Sequence, residues 1–458
     1  MAPEAVACAW RSPWRLAAVV ALTCLLGQAC ASDPFDIPAA QPPRVLDAAY
    51  FGTHFHRLDH ADAVHPATRW PAGLVGSVRL WDSSTRWADI EPAPDRFDFT
   101  RLDDQVAQAR AQGANVLLVL GSTPAWASAR PREPGPYGPG CAAEPSDLAL
   151  WDRYVRTVVQ RYKGRIAQYE LWNEPYFSDL PQDRGQPSAF FTGSVATLVE
   201  LARRARAVIA AEDPQARLLT PGFVGSPNRL ELFLAGGAGR YVDAVAYHFY
   251  ADDDEGFVKL YRGVRAVMAR HGLADMALVN SESGFAISGA EDQPEVAGQP
   301  RIDRRKAAAL LARSMILGAF LGVDRFYQYA WDNDRMGMLL PDGRTATDSL
   351  RAHAAVRRWL LDTTLLGCRS IAAHAVRCDG ARSGERVFIA WKTIVGAPER
   401  VVLPDGFTAV AVDSVMHGRV AIDAPAPREF ALPDDGMPIA VWAAASAGGR
   451  HTDVMHAR

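Results

Sequence analysis

Cysteine is scarce in this chain, with six among 458 residues. So low a content excludes a small scaffold stapled by disulfides, and no Cys/His spacing has the form of a zinc site, so no metal is expected. An excess of basic charge is also missing. Lys and Arg number 49 against 52 Asp and Glu, a formal net charge of −3, which leaves no positive field for gripping a nucleic-acid backbone. Beyond the N-terminus no apolar run approaches the ~20 residues that a membrane-spanning helix needs. What is present is a globular composition, 49% hydrophobic and 22% charged, able to bury a large core. At about 100 to 200 residues per domain, the length suits two to four domains, or one large barrel with an appendage.

The N-terminus reads as an export signal occupying residues 1–31. Arg11 and Arg15 precede the apolar run 16–26, and Ala29-Cys30-Ala31 has the small-x-small form of a signal-peptidase site. Cys30 admits a second reading as the acylated first residue of a lipoprotein, although Leu26 stands one place too far from it for the usual pattern. The expected location is therefore periplasmic or secreted, or the outer membrane if Cys30 is lipidated. Cys8 and Cys24 leave with the signal, and of the remaining thiols Cys368 and Cys378 flank a short strand-like segment and are the expected disulfide.

Residues 32–46 are rich in Pro and Ala and read as a linker. From there short apolar runs alternate with helical stretches. Strand candidates fall at 50–55, 77–80, 115–120, 166–171, 217–220, 244–248, 277–280 and 325–329, with helical periodicity at 148–162, 190–211, 257–271 and 304–321. Nearly continuous apolar strands are expected in a parallel sheet covered on both faces, and eight such units ending in a helix at 348–366 predict an α/β fold, a (β/α)8 TIM barrel over residues 47–366. After Gly367 the segments become short and β-branched between Asp-Gly, Pro and His-Gly turns, which predicts a small all-β sandwich-like domain at 367–445 and a disordered tail at 446–458.

In such a barrel the chemistry belongs at the C-terminal ends of the strands. Strand four ends in Tyr169-Glu170-Leu171-Trp172-Asn173-Glu174-Pro175 and strand seven in Asn280-Ser281-Glu282-Ser283-Gly284, so two carboxylates reach one rim. Paired carboxylates cut a glycosidic bond, one protonating the leaving oxygen and the other attacking the anomeric carbon or activating water. Arg79, ending strand two, is placed to hold one of them ionised, and His248 and Tyr250 stand at the end of strand six. Trp331, after strand eight, is expected to floor a sugar ring, with Trp126 as a second candidate platform. His54 and His56 are expected to face opposite sides of strand one, with His54 toward the site. The acidic run 252–255 lacks the spacing of a calcium loop.

With these motifs the sequence resembles a clan A glycoside hydrolase, most nearly glycoside hydrolase family 39, the group of β-xylosidases, α-L-iduronidases and exopolysaccharide hydrolases. The resemblance rests on Gly52-Thr53-His54-Phe55-His56, Arg79-Leu80-Trp81-Asp82, Thr123-Pro124-Ala125-Trp126, Trp172-Asn173-Glu174-Pro175 and the terminal β-domain. It implies Glu174 as acid/base, Asn173 as ligand of the sugar 2-hydroxyl and Glu282 as nucleophile, although many relatives read Thr-Glu-Phe or Thr-Glu-Trp-Gly around the latter. The activity implied is retaining hydrolysis of a poly- or oligosaccharide, without a cofactor. The contrasting reading is a catalytically silent carbohydrate-binding or exopolysaccharide-accessory protein on the same fold. Glu170, inside its strand, is expected to be structural.

Overall fold

A computed structural model describes residues 33–186, 188–288, 300–423 and 425–446. The segment read as an export signal, Cys30 and the tail beyond Ser446 lie outside the described residues. Eight parallel strands close on themselves: β1 (Phe51–His54), β2 (Ser77–Leu80), β3 (Asn115–Leu120), β4 (Gln168–Leu171), β5 (Arg217–Leu219), β6 (Ala244–His248), β7 (Ala277–Ser283) and β8 (Phe326–Gln328). Closure comes from β8 pairing with β1, Tyr327 opposite Gly52, and from Leu219 of β5 meeting Ala244 of β6. The barrel is filled rather than hollow. Leu117, Leu219, Ala244, Ala246, Val279 and Tyr327 form its inner apolar layer. A Cβ at Gly52 would lie 2.5 Å from the Tyr327 ring, so only glycine leaves room for that large side chain.

Helices α1 (Thr100–Ala111), α2 (Leu148–Tyr162), α3 (Val195–Glu212), α4 (Asn228–Ala235), α5 (Asp254–Arg270), α6 (Arg304–Leu321) and α7 (Asp348–Leu360) follow β2 through β8. The pattern that makes α2 is legible residue by residue. The side chain of Asp147 caps the amide of Ala149 at 2.8 Å, and Trp151, Tyr154, Val155, Val158, Val159 and Tyr162 recur on one buried face. The connection from β1 to β2, residues 55–76, holds turns and a bridge between Leu58 and Thr68 in place of a helix. Buried Asp332 fastens this segment by accepting from the amides of His56 and Arg57 and from Thr68 Oγ1, at 2.7, 2.9 and 2.6 Å.

Beyond the barrel, β9 (Thr364–Ala372), β10 (Ala375–Arg382), β11 (Glu385–Lys392), β12 (Arg400–Val402), β13 (Phe407–Ser414), β14 (Gly418–Ala421), β15 (Glu429–Ala431) and β16 (Ile439–Ala445) form an all-β region. Six of these strands and Ile37–Pro38 make one seven-stranded sheet, while β12 and β15 pair as a separate ribbon. Strand alternation divides its two faces. From β11, Val387, Ile389 and Trp391 enter the core shared with the barrel, and Phe388 and Ala390 join Val401 of the ribbon in a second cluster. Helix α6 lies between barrel and sheet, which is why it is buried almost all round instead of along one stripe. Cys368 and Cys378 stand opposite each other on β9 and β10 and form the expected disulfide.

Candidate active site

The inward-facing residues at the strand ends build the site. On β6, Ala244, Ala246 and His248 share a face by period-two alternation, so the buried imidazole continues the barrel lining upward. On β7 the same rule fails usefully. Val279 lines the barrel, so strict alternation would aim Ser281 inward and Glu282 toward the helices. The register instead slips by one residue against both neighbours: Tyr247 faces Asn280 but His248 faces Glu282, and Phe326 faces Asn280 but Gln328 faces Ser283. This bulge turns Glu282 into the mouth.

After β4 the chain leaves regular geometry. Trp172 and Glu174 adopt φ of 60° and 35°, a strained region for side-chain-bearing residues. The conformation is held because the Glu174 amide donates to the Gly222 carbonyl at 3.0 Å and Asn173 bridges to Gly222. Gly222 is crowded from the other side as well: a Cβ there would lie 2.3 Å from His248 Nε2 and 2.7 Å from Glu170 Oε1.

Arg79 is fully buried and organises the floor. Its Nε and Nη2 donate to the two oxygens of Glu170 at 3.1 and 2.5 Å, Nη2 also to Asn173 Oδ1 at 2.7 Å, and Nη1 to Glu282 Oε2 at 2.9 Å. Burial alone would lower its affinity for a proton, but Glu170 and Glu282 outweigh that and keep the guanidinium charged. The other oxygen of Glu282 accepts from Tyr250 Oη at 2.8 Å. Across the mouth, Glu174 Oε1 meets His248 Nδ1 at 2.7 Å. Carboxylate oxygens of Glu174 and Glu282 lie within 4.8 Å of each other.

The two carboxyl groups have unequal surroundings. Burial raises both above the ordinary carboxylate range, and Glu174 reaches about 7. Glu282 has a cation and a phenol to stabilise its charge, whereas Glu174 faces an imidazole that burial pushes down to about 4 and so keeps neutral. The single proton that such a close pair retains therefore belongs on Glu174. His248 and the two glutamates are also the one group of His, Cys, Asp and Glu among the described residues close enough to chelate a cation. The guanidinium of Arg79 already occupies Glu282 and opposes a second positive charge there.

Other sequence-derived candidates fall differently. His54 is buried, its Nε2 3.0 Å from the Ser281 carbonyl, and forms a wall rather than a substrate contact. His54 and His56 both pack on Tyr329, with ring centroids at 5.0 and 5.3 Å, correcting the expectation of opposite sides: residues two apart return to the same face. Trp331 is 4% exposed and packs on Phe55, so its ring floors no sugar; Trp126 packs on Trp87 and donates to the Glu91 carbonyl at 3.0 Å. The aromatic residue that does reach the mouth from β8 is Tyr329, whose hydroxyl donates to Asp82 Oδ2 at 2.7 Å. The hydroxyl of Tyr137 donates to Asp82 Oδ1. Sequence reasoning assigned no role to Tyr329, Tyr137 or Asp82. The signal available was Asp82 following the Arg79 strand end by three residues.

A closed barrel with a β-domain is a fold this chain shares with solved glycoside hydrolases. No protein-family model matches the chain. Among solved structures, it resembles a glucosidase from Croceicoccus marinus, at 16% identity and a TM-score of 0.62 over 88% of this chain and 98% of the other. It likewise resembles a family 39 glycoside hydrolase from Xanthomonas axonopodis pv. citri, at 16% identity and 0.56 over 81% and 88%. A family 51 α-L-arabinofuranosidase from Bifidobacterium longum matches at 13% identity and 0.56 over 90% and 97%.

Proposed function

We propose that the protein is a retaining glycoside hydrolase acting on a poly- or oligosaccharide. The observation behind this reading is that one carboxylate oxygen of Glu174 and one of Glu282 lie within 4.8 Å of each other. Retaining enzymes keep this pair about 5 to 5.5 Å apart, and inverting ones roughly 6.5 to 9.5 Å to admit a water. In the first step Glu282 attacks the anomeric carbon while Glu174 passes its proton to the departing glycosidic oxygen, leaving a glycosyl ester on Glu282. Arg79 and Tyr250, each on one oxygen of Glu282, keep that carboxylate ionised and aimed. In the second step ionised Glu174 takes a proton from water, which displaces Glu282 and restores both groups. Asn173, anchored by Arg79, has its amide nitrogen available to the sugar 2-hydroxyl. The test is hydrolysis of a glycan panel, with the anomer of the released sugar followed by NMR and Glu174→Gln as control. Retained configuration supports the reading, inverted configuration overturns the mechanism, and binding without cleavage makes the protein a silent carbohydrate binder.

We also propose that the chain is exported, on the strength of Arg11, Arg15, the apolar run 16–26 and the Ala29-Cys30-Ala31 site. Mass spectrometry of protein from its host should find a terminus at lipidated Cys30 or at Ser32. An intact Met1 inside the cell would overturn export.

A further inference from the structure

Asp82 sits two positions past the end of β2 and remains partly exposed at the mouth. Its two oxygens are each held by a tyrosine from a different side. Tyr329 comes from the end of β8 and is braced by the His54 and His56 rings; Tyr137 comes from the β3 loop with the Arg86 guanidinium 3.8 Å over its ring. Burial and the neighbouring Asp82 charge lift both phenols well above their ordinary range, so each hydroxyl stays a donor. A carboxylate offers about four lone-pair sites. With one site per oxygen taken, Asp82 keeps a fixed pair of acceptors side by side, a geometry that fits two adjacent sugar hydroxyls. No Lys or Arg pairs with Asp82 among the described residues, and Arg86 is engaged with Asp89 at 2.7 Å. Its charge is felt at both Glu174 and Glu282.

The charged groups around Asp82 disfavour an acidic sugar. Nε, Nη1 and Nη2 of Arg79 are all directed to Glu170, Asn173 and Glu282, and His248 and His54 are buried and neutral. A uronate bound here would face the carboxylates of Asp82 and Glu282, while Arg79, the cation bonded to Glu282, is already committed.

Resting on the glycosidase reading, we propose that Asp82 determines specificity for the sugar being transferred, taking an uncharged sugar through two neighbouring hydroxyls and rejecting uronic acids. The test compares 4-nitrophenyl xylosides, glucosides and glucuronides, in both anomers, with wild-type protein and Asp82→Asn. The wild type should prefer an uncharged sugar over the glucuronide by at least about 100-fold in kcat/KM. Asp82→Asn should lower kcat/KM on that sugar by about 10- to 100-fold while shrinking the preference. An analogue lacking one of the two hydroxyls should lose most of the difference between wild type and variant, which a purely structural role for Asp82 would not produce. Wild-type preference for the glucuronide, or an unchanged preference in a folded Asp82→Asn, overturns the proposal. If no aryl glycoside is cleaved, the glycosidase reading is decided on the glycan panel, and saturation-transfer NMR with xylose and glucuronate decides this one. Stronger transfer to glucuronate overturns it, and a xylose preference that Asp82→Asn abolishes supports it. Should Asp82→Asn not fold, Asp82→Ser takes its place in the same comparison.

Discussion

His248 Nδ1 and Glu174 Oε1 lie 2.7 Å apart, and the proton between them belongs to the carboxyl side of the balance. The imidazole is held near 4 and the carboxyl near 7, both by burial, so from mildly acid to neutral pH a neutral histidine faces a carboxylic acid.

Activity should therefore follow a bell in pH. Glu174 must carry a proton to release the leaving group, so kcat/KM should fall as pH rises through about 7. The acid limb belongs to Glu282, which must be ionised, and should lie above the ordinary carboxylate range because burial raises it. A pH–rate profile with its basic limb above pH 9 would contradict the assignment of Glu174.

The two glutamates should respond oppositely to azide. Glu282→Ala should lose at least about 100-fold in rate and be rescued by azide with an inverted glycosyl azide, since the anion occupies the space beside the anomeric carbon. Glu174→Ala should still form the glycosyl-enzyme from substrates with good leaving groups, and azide should then give retained product. The product anomers, read by NMR, exchange if the roles are exchanged.

Stability carries the same signature. A carboxyl raised in the folded state favours folding while protonated, and that contribution disappears as pH rises through about 7. Glu174→Gln removes the ionisation and should raise Tm by a few degrees at pH 8, with little change at pH 5. Equal shifts at both pH values in thermal melts would refute the linkage.

Gly222→Ala should disable the site without unfolding the protein. The added carbon would meet His248 Nε2 at 2.3 Å and Glu170 Oε1 at 2.7 Å, displacing the imidazole beside Glu174. A fall in kcat of about 10-fold or more and a shifted basic limb are expected, checked by kinetics alongside circular dichroism.

The apolar runs of β3 and β6 announce a parallel barrel because nothing but burial on both faces explains them. The residues that end these strands could be read as site lining on the same logic, and the structure brings Arg79, Asn173, Glu174, His248, Tyr250 and Glu282 into one network. Strand eight misled because β8 spans only Phe326–Gln328, and the chain path beyond it, not period, decides that Tyr329 faces the mouth while Trp331 enters the core. The bulge in β7 was equally hidden, since a register slip depends on both neighbouring strands. The missing helix between β1 and β2 is replaced by contacts to Asp332, a residue 276 positions away from His56 in the chain.

The seven-stranded sheet and the barrel share one apolar mass through Val387, Ile389, Trp391 and Trp442. Trp391 also donates to Asp254 Oδ2 at 2.8 Å, at the start of the helix that follows His248 and Tyr250. The terminal region is thus no interchangeable cassette. Replacing it would mean rebuilding the start of the helix behind His248 and Tyr250, whereas the rim segments that carry Asp82 and Tyr137 are bound by no such contact to Trp391.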